Sequence, residues 1–166
     1  ELLRNADSAM FDAKEQGGNT FRFYTAEMNA RAERRLTLET GLRHALERGE
    51  FLLHYQPQVD IVSGEILGAE ALIRWQHPDW GLVSPVEFIP LAEETGLILP
   101  IGEWVLAEAC AQARVWHNAG HAGLKIAVNL SGRQLSQKNL VETVATALTR
   151  CAIARGTLEL EITESL

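Results

Sequence analysis

The sequence predicts an α/β fold. Segments with the two-residue period of β-strands alternate with segments that have the 3.6-residue period of helices. In the second half the order is strand, helix, strand, helix, strand, which implies parallel strands joined by right-handed crossovers. With 166 residues, 46% of them hydrophobic and 22% charged, the chain has the composition of an ordinary globular domain.

The first 48 residues have a pattern of their own. Apolar side chains recur near a 3.6-residue spacing over residues 2–15, which predicts a helix. The Gly17-Gly18-Asn19 turn is expected to end this helix before a short aromatic strand over residues 21–24. Residues 26–48 are charged and helix-prone, so they are predicted to form a connecting helix.

Beyond Gly49 the period changes to two. Apolar and polar side chains alternate between residues 53 and 59, and Ser63-Gly64 then turns the chain into a second strand-like run over residues 66–75. These two runs predict a β-hairpin.

Two helices are predicted next. Ser84-Pro85-Val86-Glu87 fits a capping box with proline at the first helical position, and Pro90 is expected to break or restart that helix. A longer amphipathic helix runs toward Trp116 and is expected to end at residues 118–120.

The remaining elements are a strand over Lys125–Leu130, a helix from near Ser136 through Leu148, and a final strand over residues 157–163. In the final strand apolar side chains alternate with Glu159, Glu161 and Thr163. Carboxylates on an inward face are costly unless a metal or hydrogen bonds satisfy them. If the glutamates point inward, that face lines a functional site.

Charge and cysteine content restrict the partners. The chain carries 15 basic and 22 acidic residues, a net charge of −7, which disfavours a nucleic acid duplex or an anionic membrane as partner. Cys110 and Cys151 form no C-x-x-C pair, and two cysteines are too few to staple a small secreted fold, which favours a reducing, cytoplasmic location. No apolar run reaches the roughly 18–20 residues of a membrane-spanning helix, so we expect no membrane contact from this segment. The first residue is Glu1, so a piece of a longer protein is expected.

Oxygen-bearing side chains lie on three predicted strands. Glu70 lies within the second run, Asn129 closes the apolar run over residues 126–128, and Glu161 is near the end of the last strand. Carboxylate and amide oxygens suit hard cations such as Mg²⁺, Mn²⁺ or Ca²⁺. A solvated glutamate and an asparagine in a turn are the ordinary alternatives, and spacing alone leaves both open.

The residue order of five segments is a more specific signal than spacing. In order along the chain they are Tyr55-Gln56-Pro57, Gly68-Ala69-Glu70-Ala71-Leu72-Ile73-Arg74-Trp75, residues 88–96, Val128-Asn129-Leu130-Ser131 and residues 158–165. Together they resemble the EAL domain of bacterial cyclic di-GMP phosphodiesterases over about residues 37–166. The opening stretch resembles the last helix and strand of a GGDEF domain. The resemblance implies a GGDEF tail over residues 1–25, a connecting helix over 26–48 and the N-terminal half of an EAL domain over 49–166.

The resemblance also implies a fold and a chemistry. EAL domains are (β/α)8 TIM-barrel-like folds that hydrolyse cyclic di-GMP to linear pGpG with two Mg²⁺ or Mn²⁺ ions. By motif, the implied metal ligands are Glu70, Asn129 and Glu161, with Glu93 joining the two glutamates in the catalytic set. The residues implied to bind the substrate are Gln56, Leu72 and Arg74.

An eight-stranded barrel needs about 250 residues, so only about the first half is expected here. The family's remaining metal-binding aspartates and its lysine would follow Leu166, and we therefore expect the chain alone to be inactive and to bind metal weakly or not at all. An unpaired last strand predicts self-association, for example as a homodimer. The alternative function is a catalytically degenerate EAL domain that acts as a cyclic di-GMP receptor or a protein-interaction module.

Overall fold

A five-stranded mixed sheet with helices packed on one face forms the larger part of the computed structural model, which describes residues 2–15 and 17–162. The chain divides into two compact units, Glu1–Gly41 and Leu42–Leu166. The elements in order are α1 (Leu2–Glu15), α2 (Ala26–Ala45), β1 (Phe51–Val59), β2 (Ile66–His77), β3 (Gly81–Val83), α3 (Pro85–Thr95), α4 (Ile98–Asn118), β4 (Lys125–Leu130), α5 (Gly132–Leu135), α6 (Leu140–Cys151) and β5 (Leu158–Ile162).

In the first unit, the predicted helix is present as α1, but the predicted strand over residues 21–24 is wrong. A strand needs a hydrogen-bonded neighbour, and no strand of the described chain pairs with this segment. Asp12 fixes the segment instead, because its buried carboxylate accepts hydrogen bonds from Arg22 Nε at 3.0 Å and from Arg31 Nη1 at 3.1 Å.

The predicted hairpin is confirmed. β1 pairs antiparallel with β2, from Phe51 opposite Trp75 to Val59 opposite Ile66. Asp60 holds the turn, since its Oδ1 accepts hydrogen bonds from the backbone N–H groups of residues 62 and 63. These bonds lower the pKa of the Asp60 carboxyl, because they favour its charged form. β3, which the sequence did not predict, pairs antiparallel with the end of β2.

The predicted parallel arrangement is also confirmed. β2 pairs with β4 and β4 with β5, both parallel, which gives the order β1-β2-β4-β5. Gly68 permits a close approach at the start of β2–β4 pairing, because a Cβ there would lie 2.6 Å from the carbonyl oxygen of Lys125. β5 ends at Ile162, and Thr163 of the predicted strand lies outside the described residues. β5 is an edge of this sheet, and self-association through it stays a prediction.

The core lies between the sheet and the helices. Phe51, Trp75 and Phe88 form an aromatic cluster with ring centroids 5.7–6.1 Å apart, and Trp104 of α4 packs on Phe51 at 5.9 Å. Full burial of each large apolar side chain contributes roughly 1.5–3 kcal/mol. This cluster anchors α3 and α4 on one face of the sheet, which we call the outer face.

Three details of the predicted helices are wrong. α3 runs through Pro90 without a break, because buried Phe88, Leu91 and Ala92 hold it against the core despite the lost backbone donor. Ser84 is its N-cap residue, but the Ser84 side chain makes no capping hydrogen bond. The helix predicted from Ser136 is divided into the short α5 and the longer α6, which begins at Leu140.

Parallel strands joined by helices make up most of the second unit, so the fold class is α/β, as predicted.

Candidate functional site

Six of the seven predicted site residues lie on the inner face of the sheet, the face opposite the aromatic core. Residues paired across neighbouring strands share a face, and Gln56 pairs with Glu70 while Asn129 pairs with Glu161. Glu70 also pairs with Ala127, which is two residues before Asn129, so all four side chains project from the same face. Leu72 and Arg74 follow Glu70 at two-residue intervals on this face.

Glu70 and Asn129 are in direct contact. The Asn129 Nδ2 group donates a hydrogen bond of 2.6 Å to Glu70 Oε1, and both side chains are partly buried. This contact joins neighbouring strands β2 and β4, and Asn129 in turn pairs with Glu161 on β5. The three oxygen-bearing residues named from the sequence thus lie on one face of three neighbouring strands.

A further polar residue on this face, Gln58, shows that the sheet is curved. Its Nε2 donates a hydrogen bond of 3.4 Å to Glu161 Oε1, from β1 to β5. In a flat sheet these strands would be about 14 Å apart, because three strand spacings separate them. The inner face must curl to bring these side chains together, as the wall of a barrel does. Sequence reasoning missed Gln58, although it lies two residues from Gln56 on the same strand face.

A cavity of about 450 Å³ lies at the carboxyl ends of β2 and β4. Four predicted site residues line it, namely Leu72, Arg74, Glu93 and Asn129. Apolar side chains of α3 and α4 form much of its remaining wall. Gln56, Glu70 and Glu161 are not among its lining residues, although Glu70 is bonded to Asn129 at its edge. Carboxyl ends of parallel strands are the usual location of sites in α/β folds.

Glu93 is the one predicted site residue that lies on a helix. It belongs to the last turn of α3, which ends at Gly96 in a left-handed conformation with φ of 82°. The Gly96 N–H donates to the Glu93 carbonyl oxygen at 3.2 Å. The Arg133 Nη1 group donates to the same carbonyl and to that of Glu94, at 3.3 Å for the latter. Arg133 was not predicted, and nothing in its sequence position indicated this contact.

The turn after β4 is built on a capping box that sequence reasoning also missed. Gln134 N–H donates to Ser131 Oγ at 3.3 Å, and Ser131 N–H donates to Gln134 Oε1 at 3.0 Å. Gln134 is buried against Gly102 of α4, where a Cβ would collide with the Gln134 side chain. The Ser-x-x-Gln spacing was the available signal. This turn fixes the chain immediately after Asn129.

The atoms that this face offers to a metal ion are oxygens. Among the described residues, no group of three or more His, Cys, Asp or Glu side chains is placed to hold a metal ion. Glu70 and Glu161 supply two carboxylates, and Asn129 adds an amide oxygen, which makes a set suited to Mg²⁺ or Mn²⁺.

Tyr55 lies outside this site, on the outer face against Trp116 with ring centroids 5.2 Å apart. Burial, and to a smaller extent Glu108, raise the pKa of the Tyr55 hydroxyl.

In the described part of the chain, no helix is both long and apolar enough to cross a bilayer.

Comparison with known proteins places these features in a family. Over 165 residues the chain is 52% identical to the bifunctional diguanylate cyclase/cyclic di-GMP phosphodiesterase MucR of Pseudomonas aeruginosa, covering 99% of this chain and 24% of MucR. It is 43% identical to the signaling protein YkoW of Bacillus subtilis over 166 residues, covering all of this chain and 21% of YkoW. The chain thus spans about a quarter of the length of these relatives.

A solved structure agrees with the fold. The PaMucR phosphodiesterase in complex with c-di-GMP superposes with a TM-score of 0.75 at 53% sequence identity, covering 78% of this chain and 52% of that chain. The family model for the EAL domain matches residues 39–166, which include every predicted site residue. The inner face, the cavity and these matches agree, and the chain belongs to the EAL domain family.

Proposed function

We propose that the longer protein containing this chain hydrolyses cyclic di-GMP to linear pGpG. The observation that carries this proposal is the convergence of Glu70, Asn129 and Glu161 on one curved sheet face beside a 450 Å³ cavity. MucR, named as a cyclic di-GMP phosphodiesterase, supports the same activity.

The donor set fits Mg²⁺ or Mn²⁺, of which the complete domain would hold two. The Asn129 amide already donates its Nδ2 group to Glu70, so its Oδ1 oxygen is the atom left to bind a cation. Glu70 and Glu161 would supply carboxylate oxygens from the strands on either side. When bound, the cations would activate water and stabilise the departing oxygen of the phosphodiester.

The other residues would bind and orient the dinucleotide. Arg74 lies in the cavity wall, where its guanidinium would bind a phosphate oxygen, and Leu72 beside it would contact a nucleobase. Gln56, opposite Glu70 on β1, would donate or accept hydrogen bonds at the edge of the site. Glu93 would face the reacting phosphate from the helical wall.

The charge of the domain supports a role for cations. Residues 51–166 carry 7 basic and 13 acidic side chains, so a dianionic ligand enters a domain of its own sign. Cations between carboxylate and phosphate offset this repulsion. We further propose that the 166-residue chain alone is inactive, because it carries three of the implied metal ligands and covers 52% of the solved phosphodiesterase chain.

Residues 1–25 are proposed to be the C-terminal tail of a GGDEF domain, joined by the connecting helix over 26–48 to the EAL domain. The match to MucR, which is named as a diguanylate cyclase as well as a phosphodiesterase, covers 99% of the chain and extends upstream of the EAL match at residue 39, as a tail from a second domain requires.

The test is hydrolysis of cyclic di-GMP by the longer protein with Mn²⁺, followed by chromatography of pGpG. Glu70→Gln keeps the shape of the side chain and removes its charge, so we expect a fall in turnover of about 100-fold. Glu103→Gln is the matched control, because Glu103 is an exposed carboxylate on α4, and it should leave turnover within twofold.

Unchanged turnover in Glu70→Gln would contradict the proposed site. Calorimetry of cyclic di-GMP binding in the presence of Ca²⁺ tests the receptor alternative. A receptor would bind cyclic di-GMP in that measurement but would form no pGpG with Mn²⁺. Turnover by the 166-residue chain above a Glu70→Ala background would overturn the proposed inactivity of the chain alone.

A further inference from the structure

We propose that Arg133 is a positioning residue that holds Glu93 in the wall of the cavity. The inference rests on the proposed function for its kinetic consequence, and on geometry alone for its structural one. None of the five segments that resemble the EAL family contains Arg133.

Arg133 is bonded to the end of the helix that carries Glu93. The last carbonyls of a helix have no partners within that helix, and an arginine side chain can satisfy them. Here the Arg133 guanidinium donates to the carbonyl oxygens of Glu93, which also accepts from the Gly96 N–H, and of Glu94. It also passes close to Gly96, where a Cβ would be 3.3 Å from Arg133 Nη2. The guanidinium therefore fixes the final turn of α3 and the residue that ends it.

The base of Arg133 is itself rigid. Arg133 lies in α5, between the two members of the Ser131–Gln134 capping box. Gln134 is 5% exposed and packs against Gly102 of α4. The arginine therefore extends from a turn that is fixed on one side by its own cap and on the other by α4.

The consequence is a mechanical link across the cavity. The turn that carries Arg133 begins just after Asn129, whose side chain is bonded to Glu70. Asn129, Ser131, Gln134 and Glu93 all line the same cavity. Arg133 thus ties the wall at the end of β4 to the wall at the end of α3, and it sets the position of the Glu93 side chain relative to Asn129.

The kinetic test uses the longer protein with Mn²⁺. We expect Arg133→Ala to lower kcat about tenfold with KM changed less than twofold, because a displaced Glu93 affects the reaction more than ligand binding. Arg133→Lys keeps one charged donor but loses the planar fork that reaches two carbonyls, so it should recover only part of the loss. Arg155→Ala, an exposed arginine in the turn before β5, is the matched control and should change neither constant.

A double-mutant cycle with Glu93→Gln separates positioning from general damage. If Arg133 acts through Glu93, Arg133→Ala should lower kcat by less than twofold in the Glu93→Gln background. A full tenfold further loss in that background, or wild-type kcat in Arg133→Ala, would overturn the inference.

Hydrogen exchange on the 166-residue chain tests the structural half independently of activity. Arg133→Ala should speed amide exchange about tenfold at residues 93–96 and leave the buried β4 amides unchanged. Unchanged exchange at residues 93–96 overturns the inference even if the protein proves to be inactive. Absence of pGpG from the wild-type protein, with faster exchange in Arg133→Ala, would instead count against the proposed function alone.

Discussion

Gly68 sets the separation of β2 and β4, and its replacement by alanine should destabilise the sheet measurably. A Cβ at residue 68 would lie 2.6 Å from the Lys125 carbonyl oxygen and 3.1 Å from its carbonyl carbon. Ordinary van der Waals contact begins near 3.4 Å, so the two backbones must separate by roughly 0.8 Å. The neighbouring atoms are backbone, which cannot rotate away. Overpacking of this kind costs roughly 1–3 kcal/mol.

Thermal unfolding followed by circular dichroism would measure this effect. The expected cost corresponds to a fall in Tm of about 3–10 °C for Gly68→Ala. Gly123→Ala is the matched control, because a Cβ there meets nothing within 4 Å and its backbone φ is not in the left-handed region. That control should leave Tm unchanged or slightly raised. Equal Tm values for the two variants would refute the argument that Gly68 is needed for close strand approach.

Three further predictions concern local features. Burial raises the pKa of the Cys110 thiol to about 11, so at pH 8 only about one thiol in a thousand is ionised, and iodoacetamide should modify Cys151 first; equal labelling by mass spectrometry would contradict this. Because the pKa of Asp60 is lowered, its stabilisation of the hairpin is present above the unfolded pKa of about 3.9 and is lost as pH falls through the folded pKa. The difference between wild type and Asp60→Ala in urea midpoints should therefore be larger at pH 7 than at pH 2.5, and a difference independent of pH would count against it. Ser131→Ala removes the cap of the turn after β4 and should cost about 1 kcal/mol in urea unfolding, whereas Ser136→Ala should cost less than half of that; similar costs would exclude a special role for the cap.

Much of the fold follows from local patterns. The hairpin, the strand Lys125–Leu130 and the long helix α4 were predictable because period and turn residues agree at each of them. The strand over residues 21–24 was not, since a strand forms only with a partner, and the aromatic pattern does not reveal whether one exists. Pro90 shows the opposite case, where packing of neighbouring apolar residues outweighs a local helix-breaking signal.

The site divides in the same way. Glu70, Asn129 and Glu161 could be named from the sequence, because the motif words and the two-residue period place oxygen atoms on defined strand faces. Their grouping on one face depends on register, and only the paired strands show that Asn129 is beside Glu70 and opposite Glu161. The contacts of Gln58 and Arg133 were beyond local reasoning, since they join residues 103 and 40 positions apart along the chain.

The sequence by itself determined the types of side chain and the face of each strand on which they lie, because both are properties of neighbouring residues. Tertiary structure decided the curvature of the sheet, the 450 Å³ cavity and the contact of Arg133 with the last turn of α3. These depend on packing between distant segments, where close approach at Gly68 and Gly102 sets which side chains meet.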